Sequence, residues 1–249
     1  MLRLLTESFP EDAALDTAVS RALMLRVAAG EVPATLRISR PAAIVAFGKR
    51  DAVSPGYRDA VRAARSGGFE AIERLAGGRA AVFHEDTIAF AHAVPDPDPR
   101  SRVDERFEAT AELMASAFRR LGVDARVGEV PGEYCPGAHS VNAGGGRKLM
   151  GVGQRLVAGG VHVGGVVVVN GADRVREVLM PVYEALGLGW HPETTGSVAD
   201  EAPGTTWEDV SDAIGAEYAR RHGLQPARLD EDTLALARTL ASEHLSPAA

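Results

Sequence analysis

Between Leu149 and Val169 the chain reads LMGVGQRLVAGGVHVGGVVVV, two valine- and glycine-rich arms that meet at Gly159-Gly160. Apolar arms of this kind joined at a glycine pair fold back on each other as a β-hairpin. A long hairpin commits its neighbours to a mixed or antiparallel sheet with helices laid on it, and it argues against a doubly wound parallel sheet. The longest unbroken apolar run, Gly164 to Val169, is a buried strand and falls far short of a membrane span.

The rest of the chain fits that frame. Glu11 to Ala29 places Leu15, Val19, Ala22, Leu23 and Val27 at helical spacing, with acids in the first turn and Gly30 just beyond the end. Thr35–Ser39 and Ala43–Phe47 read as strands, the second closed by Gly48-Lys49-Arg50, and Tyr57–Ser66 is a short polar helix stopped by Gly67-Gly68. The runs AIERL, AAVFH and TIAFAHAV, broken at Gly77-Gly78 and around Glu85-Asp86, predict three strands. Pro95 to Pro99 is a stiff extended connection, because residues that precede proline are biased away from helix. Helices are expected over Arg102–Leu121, over Val175–Leu186 with a break or kink at Pro181, and over Trp207–His222 and Asp230–His244.

The expected class is α+β, often grouped with α/β: a mixed, largely antiparallel sheet flanked by helices. The expected domains are residues 1–205 and a short C-terminal helical extension, residues 206–249, packed on the first.

Charge and cysteine usage narrow the function. A net charge of −7 over 249 residues argues against a nucleic-acid partner, which needs a basic surface. One cysteine cannot form an internal disulfide, and the N-terminal segment lacks the apolar core of a signal peptide, so the expectation is a cytoplasmic protein with no membrane partner.

That cysteine, Cys135, lies between Pro131-Gly132 and Pro136-Gly137 and therefore on a loop or sharp turn. A free cysteine is either a small buried hydrophobe or a nucleophile. A thiol held by turns beside a cation gains thiolate character and access. Lys148 follows Gly144-Gly145-Gly146 and Arg147, thirteen residues after the cysteine. It is either a solvated charge or a cation that holds a carbonyl oxygen, depresses a neighbouring thiol and takes a proton from an incoming amine. Arg74 to His84 puts Gly77-Gly78 between strands, either as a plain hairpin turn or as backbone that hugs a ligand. GGGRKL lacks the spacing and the Ser or Thr of a phosphate-binding loop, His84-Glu85-Asp86 lacks the second histidine of a zinc helix, and no metal is implied.

ERLAGGRAAVFHEDTIAFAHAVP, with GRKLMGVGQR some distance beyond it, resembles the lipoate-protein ligase and octanoyltransferase family, which shares its fold with biotin protein ligases. The family pattern is Arg-Arg-x-x-Gly-Gly-Gly-x-Val-x-His, then Gly-x-Lys-x-x-Gly-x-x-Gln. Arg74, Gly77 and Gly78 match the first part, and Val82 and His84 match the rest if one alanine is inserted after Arg79. Gly146, Lys148, Gly151 and Gln154 match the second part without a gap. The similarity runs from about Ala14 to Leu186.

Arg79 stands at the third glycine, the arginine pair is reduced to Arg74, and the Gly-Asn of many ligases is missing around Thr87-Ile88. These departures fall where ATP-dependent members hold nucleotide or acyl-adenylate. The residues beyond Thr206 suffice for a couple of helices, not for the extra domain of many ligases.

The CPG-A-H-S segment is similar to the cysteine-dependent branch of the family. The resemblance implies an acyltransferase that passes an octanoyl or lipoyl group through a Cys135 thioester to a lysine of a lipoyl-domain or H-protein acceptor. The donor it implies is acyl carrier protein or a lipoylated protein. It assigns Cys135 and Lys148 to catalysis, and Arg74, Gly77, Gly78, Val82, His84, Gly151 and Gln154 to acyl and substrate binding. No cofactor is required beyond the transferred lipoate or octanoate. The alternatives are an ATP- and magnesium-dependent lipoate-protein ligase and a non-catalytic lipoyl-domain-binding protein.

Overall fold

The structure is a computed structural model and describes residues 1–247. In chain order the elements are β1 (Leu2–Leu5), α1 (Ala13–Ala28), β2 (Thr35–Ser39), β3 (Ile44–Phe47), the single turn α2 (Lys49–Ala52), α3 (Tyr57–Ser66), β4 (Glu70–Glu73), β5 (Ala81–Phe83) and β6 (Thr87–Pro95). Then come α4 (Val103–Arg120), β7 (Ala125–Val127), β8 (Val141–Ala143), β9 (Arg147–Val157), β10 (Gly160–Val168), α5 (Ala172–Ala185), the short α6 (Val198–Glu201), α7 (Trp207–His222), β11 (Leu224–Pro226) and α8 (Glu231–Leu240).

Eight strands form one sheet in the order β11-β1-β2-β6-β10-β9-β8-β7, and three form a second in the order β4-β3-β5. The large sheet is antiparallel except where β1 pairs with β11 and with β2. Its centre is the predicted hairpin, with Val157 opposite Gly160 and Met150 opposite Val167. The turn is therefore Ala158-Gly159, one residue earlier than expected, and Gly159 takes the left-handed backbone that such a turn demands, with φ +81°.

Alternation sorts the two faces of the large sheet. Leu36, Ile38, Ile88, Phe90 and Val167 point to one side, where α4 and α7 cover them with Met114, Phe118, Ile214 and Tyr218. The other face carries Ala89, Ala91, Gly164, Gly151 and Gly153 and lies under α1 and the small sheet. Behind the small sheet, α3 and α5 close a second core around Val45, Phe47, Val61, Leu179 and Val182. Asp12 caps α1 by accepting from the Leu15 N–H, and Thr206 does the same for α7 from Asp209.

Four expectations change. Helix α5 runs through Pro181 without a break. Proline removes one backbone donor, and burial of Val178, Leu179, Val182 and Tyr183 holds the turns on either side. Gly48-Lys49-Arg50 opens the helical turn α2, with the Asp51 carboxylate accepting from the Gly48 N–H at 3.0 Å. Strands β1 and β11 join the large sheet from the two ends of the chain. The segment from Thr206, expected as a packed helical extension, supplies α7, α8 and also β11 at the sheet edge. No helix among the described residues is long and apolar enough to cross a membrane.

Candidate active site

Cys135 has φ +43°, the one non-glycine residue among those described with a left-handed backbone. A side chain there costs about 1–2 kcal/mol unless neighbouring bonds over-determine it. They do. The Cys135 N–H donates to the Tyr183 hydroxyl at 2.8 Å, and that hydroxyl donates to the Ala80 carbonyl at 3.0 Å. The Cys135 carbonyl accepts from Lys148 Nζ at 2.8 Å. Tyr134, Tyr183 and Trp190 pack as an aromatic cluster behind the loop, with ring centroids 5.4–5.9 Å apart.

The sulfur is half-buried and faces a cavity. Two donors reach it: the Arg79 N–H at 3.2 Å and the Arg74 guanidinium at 3.3 Å. Arg74 also donates to the Arg79 carbonyl at 2.6 Å, and Arg79 is anchored to the buried carboxylate of Asp51 at 3.2 Å. Gly78 makes this approach possible: with φ +102°, a Cβ on it would lie 2.8 Å from the sulfur and would collide with Arg74. Burial alone pushes the thiol up. The charges of Arg74 and Lys148 and the hydrogen bonds from Arg79 and Arg74 outweigh it, so the thiol stands below its ordinary value.

Lys148 is placed differently from the sequence expectation. It is 1 % exposed, and an ammonium has three protons to give. Its three acceptors are Glu133 Oε1 at 3.0 Å, the Tyr134 carbonyl at 3.0 Å and the Cys135 carbonyl at 2.8 Å. The ammonium also stands 4.9 Å over the Tyr134 ring. Glu133 is buried and gathers the loop: Oε1 accepts from Gly137 N–H at 3.0 Å and Ser140 Oγ at 2.6 Å as well, and Oε2 accepts from Val130 N–H at 3.1 Å. The cation at the sulfur is therefore Arg74, while Lys148 grips the peptide groups that present it.

The cavity has a volume of about 340 Å³ and brings together Cys135, Arg74, Gly77, Gly78, Lys148, Gly151 and Gln154. The amide of Gln154 is committed to the start of α4: it donates to the Val103 carbonyl at 2.8 Å and accepts from Arg106 at 2.9 Å.

Val82 and His84 are not brought to the site. Strand β5 alternates, so Ala81 and Phe83 face the cavity and Val82 points into the core behind the small sheet. His84 is fully buried, accepts from the Asp86 N–H at 3.2 Å and packs against Gly171. Burial and then the charge of Arg174 hold its imidazole below its ordinary value. No inserted alanine is needed: counting straight on from Gly77-Gly78 sets Ala81 and Phe83 at the family's valine and histidine positions.

Sequence reasoning missed the Arg79 amide, Glu133, Tyr183 and Phe83. Backbone donors and buried acids carry no motif of their own, but the period-2 alternation of Ala81-Val82-Phe83 was readable. His139, which stacks on Phe107 with centroids 5.2 Å apart, also lines the cavity.

Past Phe83 the cavity meets a smaller one of about 90 Å³, bounded by Ile44, Ala46, Ala89, Ala91 and Gly164. Ala76 covers Gly153 on β9, while its register partner Gly164 on β10 and Ala91 beyond it on β6 leave a trough in the sheet surface. It ends at the buried Arg37–Asp16 ion pair.

Known proteins resemble this chain in sequence and in fold. The chain is 30 % identical over 232 residues to an octanoyl-[GcvH]:protein N-octanoyltransferase of Geobacillus kaustophilus, covering 93 % of this chain and 77 % of that protein. A second protein of that name, from Bacillus velezensis, is 31 % identical over 61 % of this chain and 53 % of its own length. A lipoyl-[GcvH]:protein N-lipoyltransferase of Listeria monocytogenes is 24 % identical over 76 % of this chain and 71 % of its own length.

Among solved structures, lipoate-protein ligase A bound with ATP superposes with a TM-score of 0.79 at 19 % identity, covering 97 % of this chain and 94 % of that one. A bipartite lipoate protein ligase of Thermoplasma acidophilum gives 0.76 at 19 % identity, covering 97 % and 92 %. These two likenesses are of fold. The family model of the lipoyl protein ligase A/B catalytic domain matches residues 12–219, which hold the whole cavity and both sequence motifs, and this chain belongs to that family.

Proposed function

We propose that this enzyme moves an octanoyl or lipoyl group onto a lysine of a lipoyl-domain protein through a thioester on Cys135. The observation that carries the reading is the shell of the thiol, a sulfur met by the Arg79 amide and the Arg74 guanidinium at the mouth of a cavity that continues as a trough of small residues. The relatives, named as octanoyl and lipoyl transferases acting with GcvH, support it.

In this mechanism the Cys135 thiolate adds to the acyl carbonyl of the donor. Arg74 and the Arg79 N–H stabilise the thiolate first and then the oxyanion that forms on the carbon bonded to the sulfur. The donor thiol or amine departs with a proton from solvent and leaves acyl-Cys135. The neutral amine of the acceptor lysine then adds to the thioester, the Cys135 thiolate leaves, and the amine nitrogen sheds its proton to water. With a thioester donor the passage to an amide is downhill, and with an amide donor the overall exchange is close to neutral, so a nucleophile replaces an adenylate and neither ATP nor a further cofactor is used.

Lys148 acts as a positioning residue that holds the carbonyl of Cys135 and adds positive potential. The acyl tail lies along the trough, where burial at about 0.8 kcal/mol per CH₂ gives an eight-carbon chain about 5 kcal/mol. The thiol must stay reduced, which fits a reducing compartment such as the cytoplasm.

Intact mass spectrometry after exposure to an octanoyl acyl carrier protein, and separately to an octanoylated lipoyl domain, tests the reading and distinguishes the two donors. The expected result is one added octanoyl group, released by hydroxylamine and absent in Cys135→Ser. Transfer to an apo lipoyl domain falls on the order of a thousandfold or more in that variant. Transfer that needs ATP and survives Cys135→Ser would establish the ligase instead. Binding of the lipoyl domain without any transfer would establish a non-catalytic binder.

A further inference from the structure

The outer cavity that holds Cys135 and the inner one of about 90 Å³ share three walls, Arg74, Phe83 and Gly165. These residues form the neck between them. Arg74 is committed to the sulfur and to the Arg79 carbonyl. Gly165 has no room to grow, because a Cβ there would run into the Gly151 carbonyl oxygen on the neighbouring strand. Phe83 is the remaining side chain, the last residue of β5, paired with Ile44 and half-buried between the two spaces.

We propose that Phe83 is the residue that sets which acyl tails pass from the thiol into the inner cavity, and so sets the chain length this enzyme transfers. The inference rests on the acyl-transfer reading above. Three features of the neck support it.

The first is chemical. Where the family pattern carries histidine, this chain presents an apolar ring, which favours methylenes over a polar group at that point of the path. The second is geometric. The inner cavity is small, and its lining away from the neck is polar: the buried Arg37–Asp16 pair, Ser39 and His162. Ser39 Oγ and His162 Nδ1 are buried without a hydrogen-bond partner. A methyl end brought against them would keep water away and leave them unsatisfied, and crowding the Arg37–Asp16 pair costs more still. The third is that the floor of the neck is backbone, so its width varies chiefly with the ring at position 83. A medium chain fits that description: long enough to cross the neck, short enough to stop before the ion pair.

The test uses the full chain and three acyl thioester donors, butyryl, octanoyl and dodecanoyl, presented in competition. The rate at which each acylates Cys135 is read by intact mass in the wild type, Phe83→Leu, Phe83→Ala and Phe83→Trp. Ratios between tails within one protein cancel any general loss of activity.

The expected result is that the dodecanoyl-to-octanoyl ratio rises about tenfold or more in Phe83→Ala and by a smaller factor in Phe83→Leu. The octanoyl-to-butyryl ratio falls in Phe83→Trp by a similar factor. Acylation with tail ratios unchanged in Phe83→Leu and Phe83→Ala would overturn the role of Phe83 while leaving the thioester mechanism intact. Absence of acylation by any donor in the wild type would overturn both.

Discussion

Cys135, on the loop before β8, and Lys148, at the start of β9, are neighbours in space and are surrounded in opposite ways. The thiol is half-buried, lines a cavity and takes two donors that a reacting oxygen can inherit. The lysine is buried, and each of its three protons is already given to an acceptor on residues 133–135. The contrast teaches that a cation near a thiol in sequence can belong to its scaffold, while the cation that meets the sulfur arrives from a distant strand end, here Arg74.

Removing the lysine breaks the comparison most severely. Lys148→Met leaves Glu133 buried without its counter-charge, and loss of one partner of a buried pair costs about 3–5 kcal/mol. Cys135→Ser changes stability by less, about 1 kcal/mol, because it swaps one atom for a smaller one that keeps the Arg79 and Arg74 donors and leaves no buried charge unpaired. Urea denaturation of the two variants checks the pair of values. Equal losses would contradict the division into scaffold and reactive pole.

A smaller effect sharpens the same contrast from the thiol side. Tyr183→Phe removes the acceptor for the Cys135 N–H and the donor to the Ala80 carbonyl, at a cost of about 1–2 kcal/mol. Since that bond helps hold the left-handed turn, acyl transfer in Tyr183→Phe should fall by a larger factor than its thermal stability alone accounts for. Melting and transfer assays on one preparation provide both numbers.

Much of this arrangement is legible in the chain itself. Glycine-punctuated apolar arms locate β9 and β10, and Gly30 and Gly67-Gly68 mark where two helices stop. Cys135, Arg74, Gly77, Gly78, Lys148, Gly151 and Gln154 do meet at one cavity. The illegible parts depend on partners far away in sequence. Strands β1 and β11 are four and three residues long and find each other from opposite ends of the chain, so no local pattern marks them. Val82 and His84 come from a motif alignment that a strand's two-residue period overrules. The Arg79 amide is a backbone group whose aim is set by Gly78 and by the ion pair to Asp51, and no residue type announces it. Glu133 reads as a solvated acid until the loop closes over it.

The proposed thioester route depends most directly on the acidity of one sulfur, and the pH dependence of Cys135 alkylation by iodoacetamide measures it. The prediction is a rate that levels off at a midpoint below that of an ordinary thiol, and a midpoint that moves to higher pH in Arg74→Gln, as loss of the nearest cation requires. A wild-type midpoint at or above that of a free thiol, unmoved by Arg74→Gln, would contradict it.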